Sequence, residues 1–224
     1  MSNVFSSSLG KKLIMSLAGL FLILFLLVHL GINSLLILSS STEPFNVAAN
    51  FMATNIVIKV FEVVLFGGLL LHIIYGLILQ IQNWMARGST GYKKTNYSQT
   101  SFFSKYMIHT AAIIFIFLII HLMDFYFVSK LGHSAGEITL SNGVTVHDLG
   151  SLVIAKFHIG LYVIGYIIAF LILGFHLHHG FQSAFQTLGM NHNTYTPVIK
   201  GIGVIYSIFV TAGFIIIPLV IYYS

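Results

Sequence analysis

Five long apolar runs constrain this chain more than any other feature. They span roughly Leu13–Leu38, Ile56–Gln82, Tyr106–Val128, Leu152–Gln182 and Gly201–Tyr222. Each exceeds the ~20 apolar residues a helix needs to cross the hydrocarbon core of a bilayer. No water reaches that core to satisfy a backbone N–H or C=O, so an isolated run of this kind must be helical. The runs predict an all-α integral membrane protein, one domain over residues 1–224 with five transmembrane helices. Only 7% of the residues are charged, against ~25% in a soluble domain, too few to cover a water-facing surface. The first run is too long for a signal-peptide core and lacks a small-residue cleavage site, so it is expected to be retained.

Polar connectors separate the runs: SSSTEPFN, ARGSTGYKKTNYSQTS, KLGHSAGEITLSNGVTVHD and TLGMNHNTYTP. The third alternates as ITLSNGVTV around Asn142-Gly143, which predicts a small β-hairpin. Orientation follows from Lys and Arg near the helix ends. Lys11, Lys12, Arg87, Lys93, Lys94, Lys105 and Lys200 fall on the side of the N-terminus; Lys59, Lys130 and Lys156 fall on the other. This imbalance predicts a cytoplasmic N-terminus and, after five crossings, an external C-terminus. All the acids (Glu43, Glu62, Asp124, Glu137 and Asp148) lie towards the outer side.

Cysteine is absent, which removes disulfides, thiolate-held iron–sulfur clusters and c-type haem attachment. Histidine is abundant, 11 residues against 10 Lys and Arg. One deep histidine occurs in each of the first four runs, His29, His72, His121 and His176, and none in the fifth. At ~1.5 Å per residue, His29 lies roughly 25 Å from Lys12 and His121 roughly 24 Å from Lys105, whereas His72 lies roughly 15 Å from Gln82 and His176 roughly 9 Å from Gln182. Two histidines thus fall at an outer level and two at an inner level, about 10 Å apart. A pair of six-coordinate haems needs that arrangement, each iron taking one imidazole from either face of the porphyrin. A four-helix bundle built from the first four spans supplies the facing helices. Zinc would ask for one compact tetrahedral cluster. A transporter would more often carry carboxylates at the midplane, whereas the acids here sit near the outer rim.

A glycine follows each inner histidine by one turn, Gly76 in HIIYG and Gly180 in HLHHG. Positions i and i+4 share a helix face, so glycine there leaves room for a flat macrocycle. Glycine is common in membrane helices, and the signal lies in the repetition. The outer histidines have Asn33 and Phe125 at the same spacing. In FHLHHG, His178 is ~200° around the helix from His176. His179 shares the face and is the rival ligand; His176 is preferred as the deeper. His109, His133, His147 and His192 read as interfacial or loop residues. His158 reads as interfacial, or as facing a haem edge or a quinone. Haem propionates want cations or hydrogen-bond donors near the membrane surface. Lys156 is the outer candidate, about 30 Å before His176 along a continuous helix; Lys12, Ser16 and Arg87 are the inner ones. Glu62 and Lys59, one turn apart, are expected to pair with each other.

Over essentially its whole length the chain resembles the di-haem cytochrome b membrane-anchor subunit of succinate dehydrogenase/fumarate reductase, in the form with five spans in one polypeptide. The likeness rests on one histidine in each of the first four spans, on FHLHHGFQSAFQTLG, and on HLGIN around His29. It implies that His72 and His176 bind a proximal haem b near the cytoplasmic side, and that His29 and His121 bind a distal one. It implies a flavoprotein subunit that interconverts succinate and fumarate and an iron–sulfur subunit on the cytoplasmic face of a bacterial inner membrane. Electrons would pass to or from a quinone, with menaquinone expected, near the distal haem. The dicarboxylate chemistry would belong to a partner chain, and assembly into a dimer of the whole complex is left open. A basic residue near the distal propionates is implied, where Lys156 falls. An acid lining the quinone cavity is implied too; Glu62 and Glu43 are its candidates, with Asn33 and His158 beside them. The glutamate that the family sometimes carries on the fourth helix is missing here. Two other readings stand beside this one: another di-haem transmembrane cytochrome b oxidoreductase, and a histidine-bearing membrane transporter.

Overall fold

The structure, a computed structural model, describes residues 7–87, 106–131 and 136–224. In chain order they form α1 (Ser8–Leu38), α2 (Glu43–Thr54), α3 (Ile56–Arg87), α4 (Met107–His121), a π-helical turn (Leu122–Tyr126), α5 (Phe127–Leu131), β1 (Glu137–Thr139), β2 (Thr145–His147), α6 (Leu149–Phe157), α7 (Gly160–Thr187) and α8 (Tyr195–Tyr223). Among the described residues five helical stretches are long and apolar enough to cross a membrane: α1, α3, the continuous unit from α4 to Lys130, α7 and α8. The fold is therefore all-α, with the five spans read from the sequence.

Most of the buried core lies in a wall made by α1, α7 and α8. Its core includes Leu30, Phe170, Leu177, Phe181, Val210, Phe214 and Ile217. Small residues let these helices approach closely, the usual basis of association where lipid removes the hydrophobic driving force. A Cβ added to Gly203 would lie 2.8 Å from Phe181 and one on Gly213 2.8 Å from Leu30. The hydroxyl of Tyr206 donates to the carbonyl of Ile23 at 2.7 Å and pins α8 to α1. The other two spans are less buried. The α3 backbone packs on α1 and α2, and that of α4 on α7, and neither span has a buried residue in its membrane-crossing stretch. Side chains bridge α3 and the third span, Phe66 lying 5.0 Å from Tyr126.

Three features depart from the sequence reading. A helix, α2, occupies the stretch read as a connector, with Pro44 in its first turn, where the missing N–H costs nothing. The fourth span is not one helix from Leu152. Helix α6 ends at Phe157 with His158 as its C-cap, Ile159 is extended (φ −93°, ψ 108°), and α7 begins at Gly160. A Cβ on Gly160 would come within 3.2 Å of the Tyr222 hydroxyl, so glycine lets α8 pack against this break. The third span contains a π-helical turn directly after His121.

The expected hairpin is present, pairing Glu137 with His147 and Thr139 with Thr145. Gly143 takes φ +82°, the left-handed conformation that favours glycine. Helix α2, the hairpin and α6 form a platform at the end of the bundle opposite the start of α1. Its keystone is Asn46, 1% exposed. The Asn46 amide donates to Asp148 Oδ1 at 2.7 Å and accepts from the Gly150 N–H at 2.8 Å. Asp148 in turn caps α6 by accepting from Ser151 N–H at 3.1 Å. Burial pushes the Asp148 carboxyl up, but the hydrogen bonds from Ser151 and Asn46 hold it below the ordinary range.

Candidate metal centres

The four deep histidines meet in the interior as two facing pairs. His29 of α1 and His121 of α4 have ring centroids 5.7 Å apart at 87°. His72 of α3 and His176 of α7 are 6.3 Å apart at 71°. The pairs are those expected from depth. Three helices measure the gap between the levels. Gly19 lies against His72 and shares α1 with His29; Thr110 bonds His176 and shares α4 with His121; Tyr166 bonds His121 and shares α7 with His176. Each interval is ten or eleven residues, or roughly 15–16 Å. The levels are thus further apart than the ~10 Å counted from helix ends, because the polar residues used as markers do not share one plane.

The ring nitrogens are oriented. His72 Nδ1 lies 3.3 Å from the carbonyl oxygen of Met15, His176 Nδ1 lies 3.4 Å from Thr110 Oγ1, and His121 Nδ1 lies 3.4 Å from the Tyr166 hydroxyl. Thr110 spends its own proton on the Met107 carbonyl at 2.8 Å, so it accepts from His176. The Met15 carbonyl and the Thr110 hydroxyl accept from Nδ1–H, so His72 and His176 present Nε2 as the ligating atom. Gly19, which the sequence reading passed over, makes the inner arrangement possible. A Cβ there would sit 3.3 Å from the His72 ring. Apolar rings enclose the outer pair: Phe25 stacks on His29 at 5.3 Å, and Phe117 and Phe125 lie 5.7 and 5.4 Å from His121.

Among the described residues no three or more His, Cys, Asp or Glu side chains converge as a metal site. Each centre offers two imidazoles, so a metal held there needs its other ligands from a carried group. A porphyrin fits that need. With metal–imidazole bonds of about 2 Å, two rings on opposite faces of one metal have centroids about 6 Å apart, and the two observed separations bracket that value. Space beside the inner ligands agrees: a Cβ on Gly76 would meet only Met15 Sδ at 4.0 Å, and one on Gly180 only Met107 Cε at 3.8 Å, both ends of flexible side chains.

The other candidates separate. Ser16 is buried next to Met15 at the inner level. The side chain of Arg87 lies outside the described residues, as do His133, Lys93, Lys94 and Lys105. Lys12 is exposed at the start of α1. His178 lies 3.4 Å from Gln182 and His179 is half-buried; the ring that faces His72 is that of His176. His158 is exposed at the helix break. Asn33 turns back on its own helix and donates to the His29 carbonyl at 2.8 Å.

Glu62 does not pair with Lys59. It accepts from Tyr126 at 2.5 Å and Lys130 at 2.9 Å, because the π turn brings both across from the third span. Glu43 accepts from Ser141 N–H at 2.7 Å, which holds its carboxyl below the ordinary range. Lys156 is not free for a propionate. Its ammonium sits 2.8 Å from Asp124 Oδ1 and 3.1 Å from the Tyr162 hydroxyl. Asp124 holds this ammonium above its ordinary range against the opposing effect of burial. The break at Ile159 also removes the continuous helix on which its reach was counted.

Compared with known proteins, the chain matches no family model, no curated protein and no solved structure.

Proposed function

We propose that the chain is the membrane-anchor and electron-transfer subunit of a succinate:quinone oxidoreductase, carrying electrons through two b-type haems. The observation that supports haem is the meeting of four histidines from four helices as two facing pairs. His72 and His176 would hold the inner group, and His29 and His121 the outer. Bound haem supplies one-electron chemistry at its iron. The chain itself fixes the inner ligand tautomers through Met15 and Thr110, sets Tyr166 against His121, and keeps water from the outer centre with Phe25, Phe117 and Phe125. Lys11 and Lys12 begin α1 and Lys200 lies in the first turns of α8, which favours that end as cytoplasmic. A soluble iron–sulfur subunit, served by a flavoprotein acting on succinate or fumarate, would dock there in a bacterial inner membrane.

The quinone would bind at the outer rim. Of the four candidates, Glu62 is favoured. Glu43 is committed to the hairpin, Asn33 to its own helix, and His158 lies at the exposed break, whereas Glu62 and Tyr126 form a partly exposed acid–phenol pair. The test is a reduced-minus-oxidised spectrum of the purified chain. A b-type α-band with two haems per polypeptide is expected, and absence of haem refutes the proposal. His29→Ala or His121→Ala should remove one haem and His72→Ala or His176→Ala the other. Co-purification with a flavoprotein and an iron–sulfur subunit separates this reading from that of a free-standing di-haem cytochrome b.

A further inference from the structure

We propose that Asp124 and Lys156 form an electrostatic control on the outer histidine pair, the carboxylate opposing and the ammonium favouring arrival of an electron at the His29–His121 centre. The inference rests on the reading of that pair as a haem centre.

Asp124 lies three residues after His121, inside the π-helical turn. Such turns occur frequently at functional sites. Here the turn brings Asp124 against α6 and α7, where two donors gather on one of its oxygens. Lys156 Nζ lies 2.8 Å and the Tyr162 hydroxyl 3.4 Å from Oδ1. The other oxygen, Oδ2, is buried and has no hydrogen-bond partner among the described residues. A carboxylate oxygen left bare in an apolar setting is costly and calls for a reason. An ionisable residue inside a span is by default a functional candidate.

The pair is linked to the ligand through aromatic rings. Tyr162 stacks on Tyr166 at 6.3 Å and 29°, and Tyr166, 4% exposed, meets His121 Nδ1. Tyr166 is neutral, as are the carbonyl and hydroxyl that meet the inner pair, and the ion pair lies one ring further out, at the Tyr162 hydroxyl. Fixed charge is thus built in beside the outer pair. A negative charge near an iron centre favours its oxidised form and a positive one its reduced form, and low effective dielectric strengthens both effects.

The test is a redox titration of the full chain in detergent, with dithionite as reductant and the α-band as readout. The midpoint that disappears in His121→Ala marks the outer centre. Asp124→Asn should raise that midpoint and Lys156→Gln lower it, each by about tenfold in the reduction equilibrium, or about 59 mV for one electron. The double variant should return towards wild type, and the inner midpoint should stay. Two haems with an unmoved outer midpoint, or with both variants shifting it the same way, overturn the proposal while leaving the haem reading intact. A wild-type chain without haem overturns both. If Asp124→Asn loses its haem, the sign of the Lys156→Gln shift decides alone.

Discussion

Replacing Asn46 by alanine tests the outer platform. The side chain is 1% exposed and joins α2 to α6 across a hundred residues of sequence. Alanine strips the buried Gly150 N–H of its acceptor, at about 1–3 kcal/mol. It also removes a charge-assisted bond to Asp148, worth about 1 kcal/mol here, since Asp148 is partly exposed and water can replace the donor. The expected loss is about 2–4 kcal/mol, read as a lower unfolding midpoint in mild detergent and faster proteolysis at the hairpin. A change below about 0.5 kcal/mol would refute the assignment of Asn46 as the keystone. Asn46→Asp sharpens the test. It sets a second carboxylate against Asp148, so it should destabilise at neutral pH and recover as the medium becomes acid enough to protonate one member of the pair. The wild type should behave oppositely. Its Asp148 is held below the ordinary range, so that contribution is complete above about pH 4 and fades as pH falls through the folded value.

Other outcomes follow from packing. A Cβ on Gly174 would collide with the Thr211 side chain, so Gly174→Ala should cost about 1–3 kcal/mol. Thr211→Ala, which removes a buried hydroxyl that has no partner among the described residues, should be near neutral alone and should rescue Gly174→Ala; unfolding of the two single variants and the double one checks this. Tyr206→Phe should lower stability by about 0.5–1.5 kcal/mol through loss of its bond to the Ile23 carbonyl. Glu62→Gln should change stability by less than about 1 kcal/mol, because the ion pair with Lys130 is partly exposed; both α-bands should remain in its difference spectrum.

The spans and the histidine pairs were legible because both depend on counting. Twenty apolar residues mean a crossing, and a residue's distance from a helix end sets its depth. His29 with His121 and His72 with His176 needed only those two rules. What counting misses is what distant segments do to each other. Asn46 looks like any loop asparagine until Gly150 and Asp148 fold over it. Gly19 is one of many membrane glycines until His72 leans on its Cα. The pairing of Lys156 with Asp124 leaves no mark in the sequence, because a π turn and a helix break bring them together and neither has a strong sequence signature. Helical spacing alone points Glu62 at Lys59. Its partners came from the third span, which carries Tyr126 and Lys130 across to it.

The uneven packing of the spans has a consequence for how the protein is made. Helices α1, α7 and α8 are locked by glycine contacts and by Tyr206, whereas α3 and α4 rest on that wall without burying residues of their own. Regions with few buried contacts open at the lowest free energy. Each facing pair takes one imidazole from the wall and one from a less buried helix: His29 and His176 from the wall, His121 and His72 from α4 and α3. The chain is thus built as a frame with two leaves. If the facing pairs hold haem as proposed, a flat, apolar macrocycle would enter sideways from the lipid, and its capture by the second imidazole would tie each leaf to the frame. Maturation and folding would then be one event, and a chain deprived of haem should be degraded faster by quality-control proteases.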